Sequence, residues 1–338
     1  MSQFHLTPKE RVEALLRFGY TEREAAFLCI AALHGGYFLR SQYARFLGKD
    51  SSEEAIAELI EKVFINCHAT AIAFDKDVHL YHLCARPFYA AIGEVDNRNR
   101  RLRECSTIKN KVMALDFGLA YPECAFLLTE QERVQHFTTI LGIAPSQLPS
   151  KSYGSATANT TRYFVEKYPI FLAKDGVPSF CFVDEGLTTP SHFKTFLAAY
   201  GPLFAALSEF NVIYVAANRR PVQWAETTFK KQLAKGGQSA LATADWKRLA
   251  AYFTLRQQYE SKDVHALDRG KLIQLRNEQM ALVGEGNDRL FETWKTGGDV
   301  AIKQLLTRES SGQMTAAASF STYILEHNYD YFGSLTSL

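Results

Sequence analysis

Two apolar, aromatic-rich runs, YPIFLA at 168–173 and SFCFVDEG at 179–186, are joined only by Lys174, Asp175, Gly176, Val177 and Pro178. That joint has the Gly/Pro punctuation of a tight turn, so the pair reads as a hairpin. A helix-period segment follows from Ser191 to Leu207, opened by the helix-start signal Thr188, Thr189, Pro190, Ser191. NVIYVAA at 211–217 then reads as a third, buried-type strand. Strand, strand, helix, strand commits the middle of the chain to an α/β core. It also sets Asp184 and Glu185 at the end of the second strand, where adjacent side chains point to opposite faces.

The chain has 338 residues, which fits two or three domains. Its net charge of +2 makes it no polycation, so any nucleic-acid surface must be a local patch. No run of 18 apolar residues suggests a membrane span, and the N-terminal stretch lacks a signal-peptide core. The six cysteines show no CxxC spacing and read as small buried hydrophobes of a reducing compartment. A cytoplasmic protein without membrane contact is expected.

Residues 1–97 read as helices followed by a small hairpin. Thr21 with Glu24 forms a capping box ahead of AAFLCIAAL, and that helix stops near Gly35 and Gly36. A short helix covers Arg40 to Leu47. Ser51 and Ser52 precede a third helix with Ala55, Ile56, Leu59, Ile60 and Val63 on one face. HATAIAF (68–74) and VHLYHL (78–83) then form two strands about Asp75, Lys76 and Asp77. That order is the order of a winged helix-turn-helix. The alternative is a helical bundle with an incidental hairpin.

A basic connector occupies 98–150. Its first part, 98–111, carries Arg98, Arg100, Arg101, Arg103, Lys109 and Lys111 against the single acid Glu104. Clustered Lys/Arg exchanges condensed counterions for phosphate contacts, which makes a DNA-facing surface the sharper reading and a solvated face the plainer one. The third helix argues against simple groove reading. It carries Glu53, Glu54, Glu58 and Glu61 against Lys62 alone. Contacts are therefore expected from Arg40, Arg45, Lys49 and Lys76 together with the basic segment; the alternative is that the winged domain serves as a protein or dimer interface. A Pro/Ser/Gly loop at 145–155 marks the boundary of the α/β core, 151–240, and 241–338 reads as a helical C-terminal region.

A hydrolytic site needs carboxylates converging on a cation and a positive group aimed at the scissile phosphate. The candidates are Asp184, Glu185, Glu166 and Lys174, with Mg2+ as the cofactor such a site would require. Strand, strand, helix, strand with a carboxylate ending the second strand resembles restriction-endonuclease-like domains, and the resemblance implies a catalytic lysine where Leu187 stands, so the preferred expectation is a core that has lost its chemistry. Cys67, His68, His79, His82 and Cys84 do not converge on one face of their hairpin, and no metal site is expected there. No GxxxxGK[ST], GxGxxG, GxSxG or HExxH motif occurs.

YTEREAAFLCIAALHGGYFLRSQYARFLG (20–48), the hairpin through Leu83, and YPIFLA with SFCFVDEG resemble the replication-relaxation family of plasmid and integrative-element proteins. The resemblance covers about 40% of the chain. It implies an α+β protein with an N-terminal winged helix-turn-helix, a central degenerate restriction-endonuclease-like α/β domain and a helical C-terminal region. It further implies DNA binding in the regulation, replication or transfer of a mobile genetic element. The reading that results is a non-catalytic, homodimeric binder of double-stranded DNA without cofactor, with a protein of the same element as a possible further partner. A metal-dependent DNA endonuclease and an interaction adaptor without nucleic-acid contact are the alternatives.

Overall fold

The computed structural model describes residues 6–75, 78–155, 158–166, 168–186, 191–236, 246–261, 268–281, 291–292, 294–295, 297–300, 317–327, 329 and 332. The protein is α+β and divides into two compact units, 1–229 with 316–338, and 230–315. Among the described residues no helix is long and apolar enough to cross a membrane.

In the first unit, Thr7 and Thr21 each close a capping box, with Glu10 and Glu24, and start helices α1 (Pro8–Leu16) and α2 (Glu22–His34). Gly36, at φ 82, turns the chain into a three-residue strand, β1 (Tyr37–Leu39), that the sequence does not announce. Helices α3 (Arg40–Leu47) and α4 (Glu53–Ile65) follow, the latter capped by Ser52. A hairpin, β2 (Ala69–Asp75) and β3 (Val78–Leu83), lies beside β1 in the order β1-β3-β2. Apolar positions of α2, α4 and β3 share one core, in which Phe27, Leu28, Leu59, Val63 and Leu83 are all but inaccessible. A short helix, α5 (Arg86–Ala91), closes that core through Phe88 and Tyr89.

Helix α6 (Cys105–Leu119) is the link to the second sheet. Its Ile108, Val112, Met113 and Phe117 pack with Tyr37, Leu39 and Leu80 of the small sheet and with Cys181, Val183, Ile213 and Val215 of the larger one. Boundaries at 97 and 150 thus fall inside a single compact unit.

The larger sheet contains β4 (Ala125–Phe126), β7 (Ile170–Leu172), β8 (Pro178–Asp184), β9 (Glu209–Ala216) and β10 (Ala317–Ile324), in the order β10-β9-β8-β7-β4. Between β4 and β7 come α7 (Glu130–Gln135) and a separate hairpin, β5 (Ser150–Ser155) with β6 (Ala158–Tyr163). Strand β7 is antiparallel to β4 and β8, whereas β8, β9 and β10 are parallel. The crossover from β8 to β9 is α8 (Ser191–Ala206). Phe180, Phe182 and Tyr214 on one face of the sheet meet Phe193, Phe196, Tyr200 and Phe204 of that helix in edge and tilted contacts. Each of these rings, met edge-on or tilted and once buried, contributes about 1.5–3 kcal/mol.

Two expectations are corrected here. The stretch 145–155 is not simply a loop, because β5 starts at Ser150 and pairs residue for residue with β6. The C-terminal region is not wholly helical either, because β10 extends the main sheet alongside β9. Helix α9 (Val222–Gly236) places Ala225 and Phe229 in the first unit, where Phe229 stacks on Phe320 of β10 at 5.0 Å. The second unit contains α10 (Trp246–Glu260) and α11 (Arg269–Ala281), with Phe253 packed on Phe291.

Candidate nucleic-acid interface

The segment after α5 is pinned by one buried side chain. Asn99 donates from Nδ2 to the carbonyls of Ala32 (2.8 Å) and Leu33 (3.3 Å) at the end of α2. Its Oδ1 accepts from Lys111 Nζ at 3.0 Å, and its carbonyl lies 2.9 Å from His82 Nε2. The Tyr37 hydroxyl donates to the Arg101 carbonyl and accepts from the Arg103 amide at 3.1 Å, fixing the segment a second time. With the backbone held so, Arg98 and Arg101 are exposed. Arg100 donates to the Val95 carbonyl at 2.9 Å, and Arg103 reaches the Arg98 carbonyl at 3.4 Å. Among the described residues none of these four arginines forms a carboxylate pair.

Arg162 of β6 joins Arg98, Arg100 and Arg101 around a cavity of about 480 Å³. Arg162 is oriented by Glu130, whose Oε2 accepts from its Nε at 2.8 Å. Arg98 lies over the ring of Tyr153, 5.5 Å from its centroid, and Tyr153 is 41% exposed. The site therefore combines cations from two distant chain segments with an accessible ring. Arg162 and Tyr153 were not visible as site residues in the sequence, because the hairpin that carries them is polar throughout.

The remaining basic candidates are placed differently. Arg40 pairs with Glu53 at 2.7 Å, and Arg45 with buried Asp116 at 2.9 Å. Lys109 is buried, since the phase of α6 that takes Ile108 and Val112 inward takes it too. Lys111 is bonded to Asn99. Lys49 is exposed on the turn after α3, and Lys76 lies outside the described residues. Glu53, Glu54, Glu58 and Glu61 form the exposed face of α4.

Asp184 and Glu185 take opposite faces of the sheet. Asp184 accepts from the Tyr214 hydroxyl on the neighbouring strand and from the Gly186 amide at 2.8 Å. Burial, reinforced by that carboxylate, pushes the Tyr214 hydroxyl pKa up. Glu185 is buried on the α6 side, 3.4 Å from Asn110 Nδ2. Glu166 is exposed and paired with Lys151 at 2.7 Å. Lys174 sits in the turn at the far end of β8, roughly 20 Å along the strand from Asp184 at about 3.3 Å per residue. Among the described residues no three His, Cys, Asp or Glu side chains are grouped to hold a metal ion. In the hairpin, His68 Nδ1 lies 2.8 Å from the Tyr20 hydroxyl and His82 stacks on Tyr37.

No protein-family model, curated protein or solved structure matches this chain.

Proposed function

We propose that the protein binds double-stranded DNA without cutting it, using the 98–103 arginine segment and the β5–β6 hairpin. One observation carries this reading. Arg98, Arg100, Arg101 and Arg103 have no carboxylate partner among the described residues, whereas Arg23, Arg40, Arg45 and Lys62 in the helical part are all paired. Unneutralised guanidinium groups beside an accessible tyrosine suit a phosphate backbone. The order α2, β1, α3, α4, β2, β3 supports a winged helix-turn-helix, and the acidic face of α4 argues that it docks by its arginine flank rather than by a recognition helix. The β7–β8 hairpin, α8 crossover and parallel β9 support a nuclease-like core. Its carboxylates are engaged within the fold, which favours loss of cleavage. A cytoplasmic dimer serving the replication, transfer or regulation of a mobile element accords with the family resemblance.

The test is a salt series of duplex-binding measurements on wild type and the Arg98→Gln/Arg101→Gln double variant. The slope of log affinity against log salt should flatten by up to about 2 units if both touch phosphate. An unchanged slope removes this segment from the interface.

A further inference from the structure

A second cavity, of about 960 Å³, opens between the turn at 93–98, helix α7 with the residues after it, and β6. Arg133 lines it and is only 4% exposed. Its Nε donates to the Leu127 carbonyl at 2.8 Å, and its guanidinium lies 5.9 Å from the Phe164 ring centroid. Among the described residues its two terminal nitrogens have neither a hydrogen-bond nor a carboxylate partner. The acidic neighbours on α7 are engaged elsewhere. Glu130 accepts from Arg162 and from the Tyr163 amide, and Glu132 from Arg11 and the amides of Leu128 and Thr129. Burial pushes the Arg133 guanidinium below its usual pKa, yet arginine stays charged in proteins. Glu132 and Glu130 act on this buried cation from a distance while bound to other donors, so no carboxylate contacts it among the described residues, and an anion entering the cavity would supply that contact.

The rest of the lining indicates more than a bare anion. Arg162, itself paired with Glu130 at 2.8 Å, adds a second guanidinium, and Glu94 and Asn97, hydrogen-bonded to each other at 2.9 Å, bring amide and carboxylate edges. Thr138 and Thr139 come from a π-helical turn, His136–Ile140, in which the Leu141 amide donates to the His136 carbonyl. Such turns recur at functional sites. The volume lies at the upper end of small-molecule pockets, roughly 300–1,000 Å³, and exceeds what a lone phosphate fills.

We infer that this cavity binds a nucleoside 5′-phosphate, with the phosphate against Arg133 and Arg162 and the nucleoside along the Glu94–Asn97 rim. The ligand can come from a free nucleotide or from the 5′-phosphorylated end of a DNA strand. Arg98 and Arg162 line both cavities, so this site adjoins the proposed duplex surface, but Arg133 is no part of the 98–103 segment and lines this cavity alone of the two.

The experiment is calorimetric titration of the full chain with each of the four deoxynucleoside 5′-monophosphates and with inorganic phosphate. At least one nucleotide should bind saturably and about tenfold or more tighter than phosphate. Arg133→Gln and Thr139→Trp should each weaken it about tenfold, the scale of one lost charge-assisted hydrogen bond. Thr139 is exposed at the lining, so its variant keeps the test valid even if Arg133→Gln does not fold. Oligonucleotides with 5′-phosphate or 5′-hydroxyl ends then separate the sources. Competition by the phosphorylated oligonucleotide alone assigns the site to strand ends, and competition by neither assigns it to free nucleotide. No saturable binding at millimolar nucleotide, equal binding of inorganic phosphate, or binding untouched by Thr139→Trp overturns the inference. Retention of nucleotide binding when duplex binding fails would leave this site standing and remove only the proposed duplex function.

Discussion

Arg45 Nη1 on α3 lies 2.9 Å from Asp116 Oδ1 on α6, and the same carboxylate accepts from the Tyr329 hydroxyl after β10. Asp116 is wholly buried, and that burial raises its carboxyl pKa above the usual range. The ion pair and this hydrogen bond together tie three separate parts of the chain to one carboxylate. Arg45→Met should destabilise the protein by about 1–3 kcal/mol, the penalty of an orphaned buried acceptor. Urea unfolding would register the loss, while the salt slope of duplex binding stays where it was. A flattened slope with an unchanged melt would return Arg45 to the DNA surface.

Asp184→Asn should leave duplex affinity within about threefold, because Asp184 serves the Tyr214 hydroxyl and not a phosphate-facing surface. Neither protein should nick plasmid DNA with magnesium or manganese, since a hydrolytic site needs converging carboxylates and a nearby cation. Metal-dependent nicking by wild type that disappears in the variant would establish the endonuclease alternative, with Lys174 and Lys167, the latter outside the described residues, the first basic groups to examine.

Acid should unfold the protein through two histidines. Burial lowers the His34 pKa to about 3 and the His68 pKa to about 4, from an ordinary 6.5. Both are held neutral in the fold and take up a proton once unfolded. Stability is then full above about pH 6.5 and falls as pH drops toward the folded values. Each histidine should remove about 2 kcal/mol between pH 6.5 and pH 5. Urea midpoints at successive pH values give the slope, and His68→Gln should reduce it. A flat profile would mean that water reaches both rings.

Gly36 and Gly19 make a matched pair. Both have φ 82, but a Cβ on Gly36 meets the Asn99 carbonyl at 2.8 Å, whereas Gly19 faces open space. Gly19→Ala should cost only the left-handed backbone strain, about 1–2 kcal/mol. Gly36→Ala should cost more and also weaken duplex binding, because it displaces the residue that pins the arginine segment. Equal melts for the two variants would show that Asn99 yields without consequence.

Local signals were legible. Thr21 with Glu24, Ser52, and Thr129 with Glu132 announce helix starts at fixed short spacing, and each of these side chains caps the helix it precedes. The apolar runs of β8 and β9 were equally plain. The β5–β6 hairpin was not, since SKSYGS and ANTTRY are polar on both faces and carry no alternation. Strand β10 is half exposed and takes its register from β9, a partner remote in sequence. At the candidate site, the cluster from Arg98 to Arg103 was visible as composition. The convergence of Arg162 on it and the burial of Lys109 and Arg133 depend on tertiary packing, which spacing does not encode.

Strand β10 pairs with β9 along its whole length, from Ala317 opposite Glu209 to Ile324 opposite Ala216. A ribosome makes β9 first and then the entire 230–315 unit before β10 exists. At about 5–20 residues per second, the β9 edge waits roughly 5–20 s for its neighbour. During that interval Val212, Tyr214 and Val215 belong to an open row of amides and carbonyls, the kind of edge that another chain can pair with. The order of synthesis thus makes the nascent chain most exposed to aggregation before β10 arrives, and gives chaperones a defined interval in which to act.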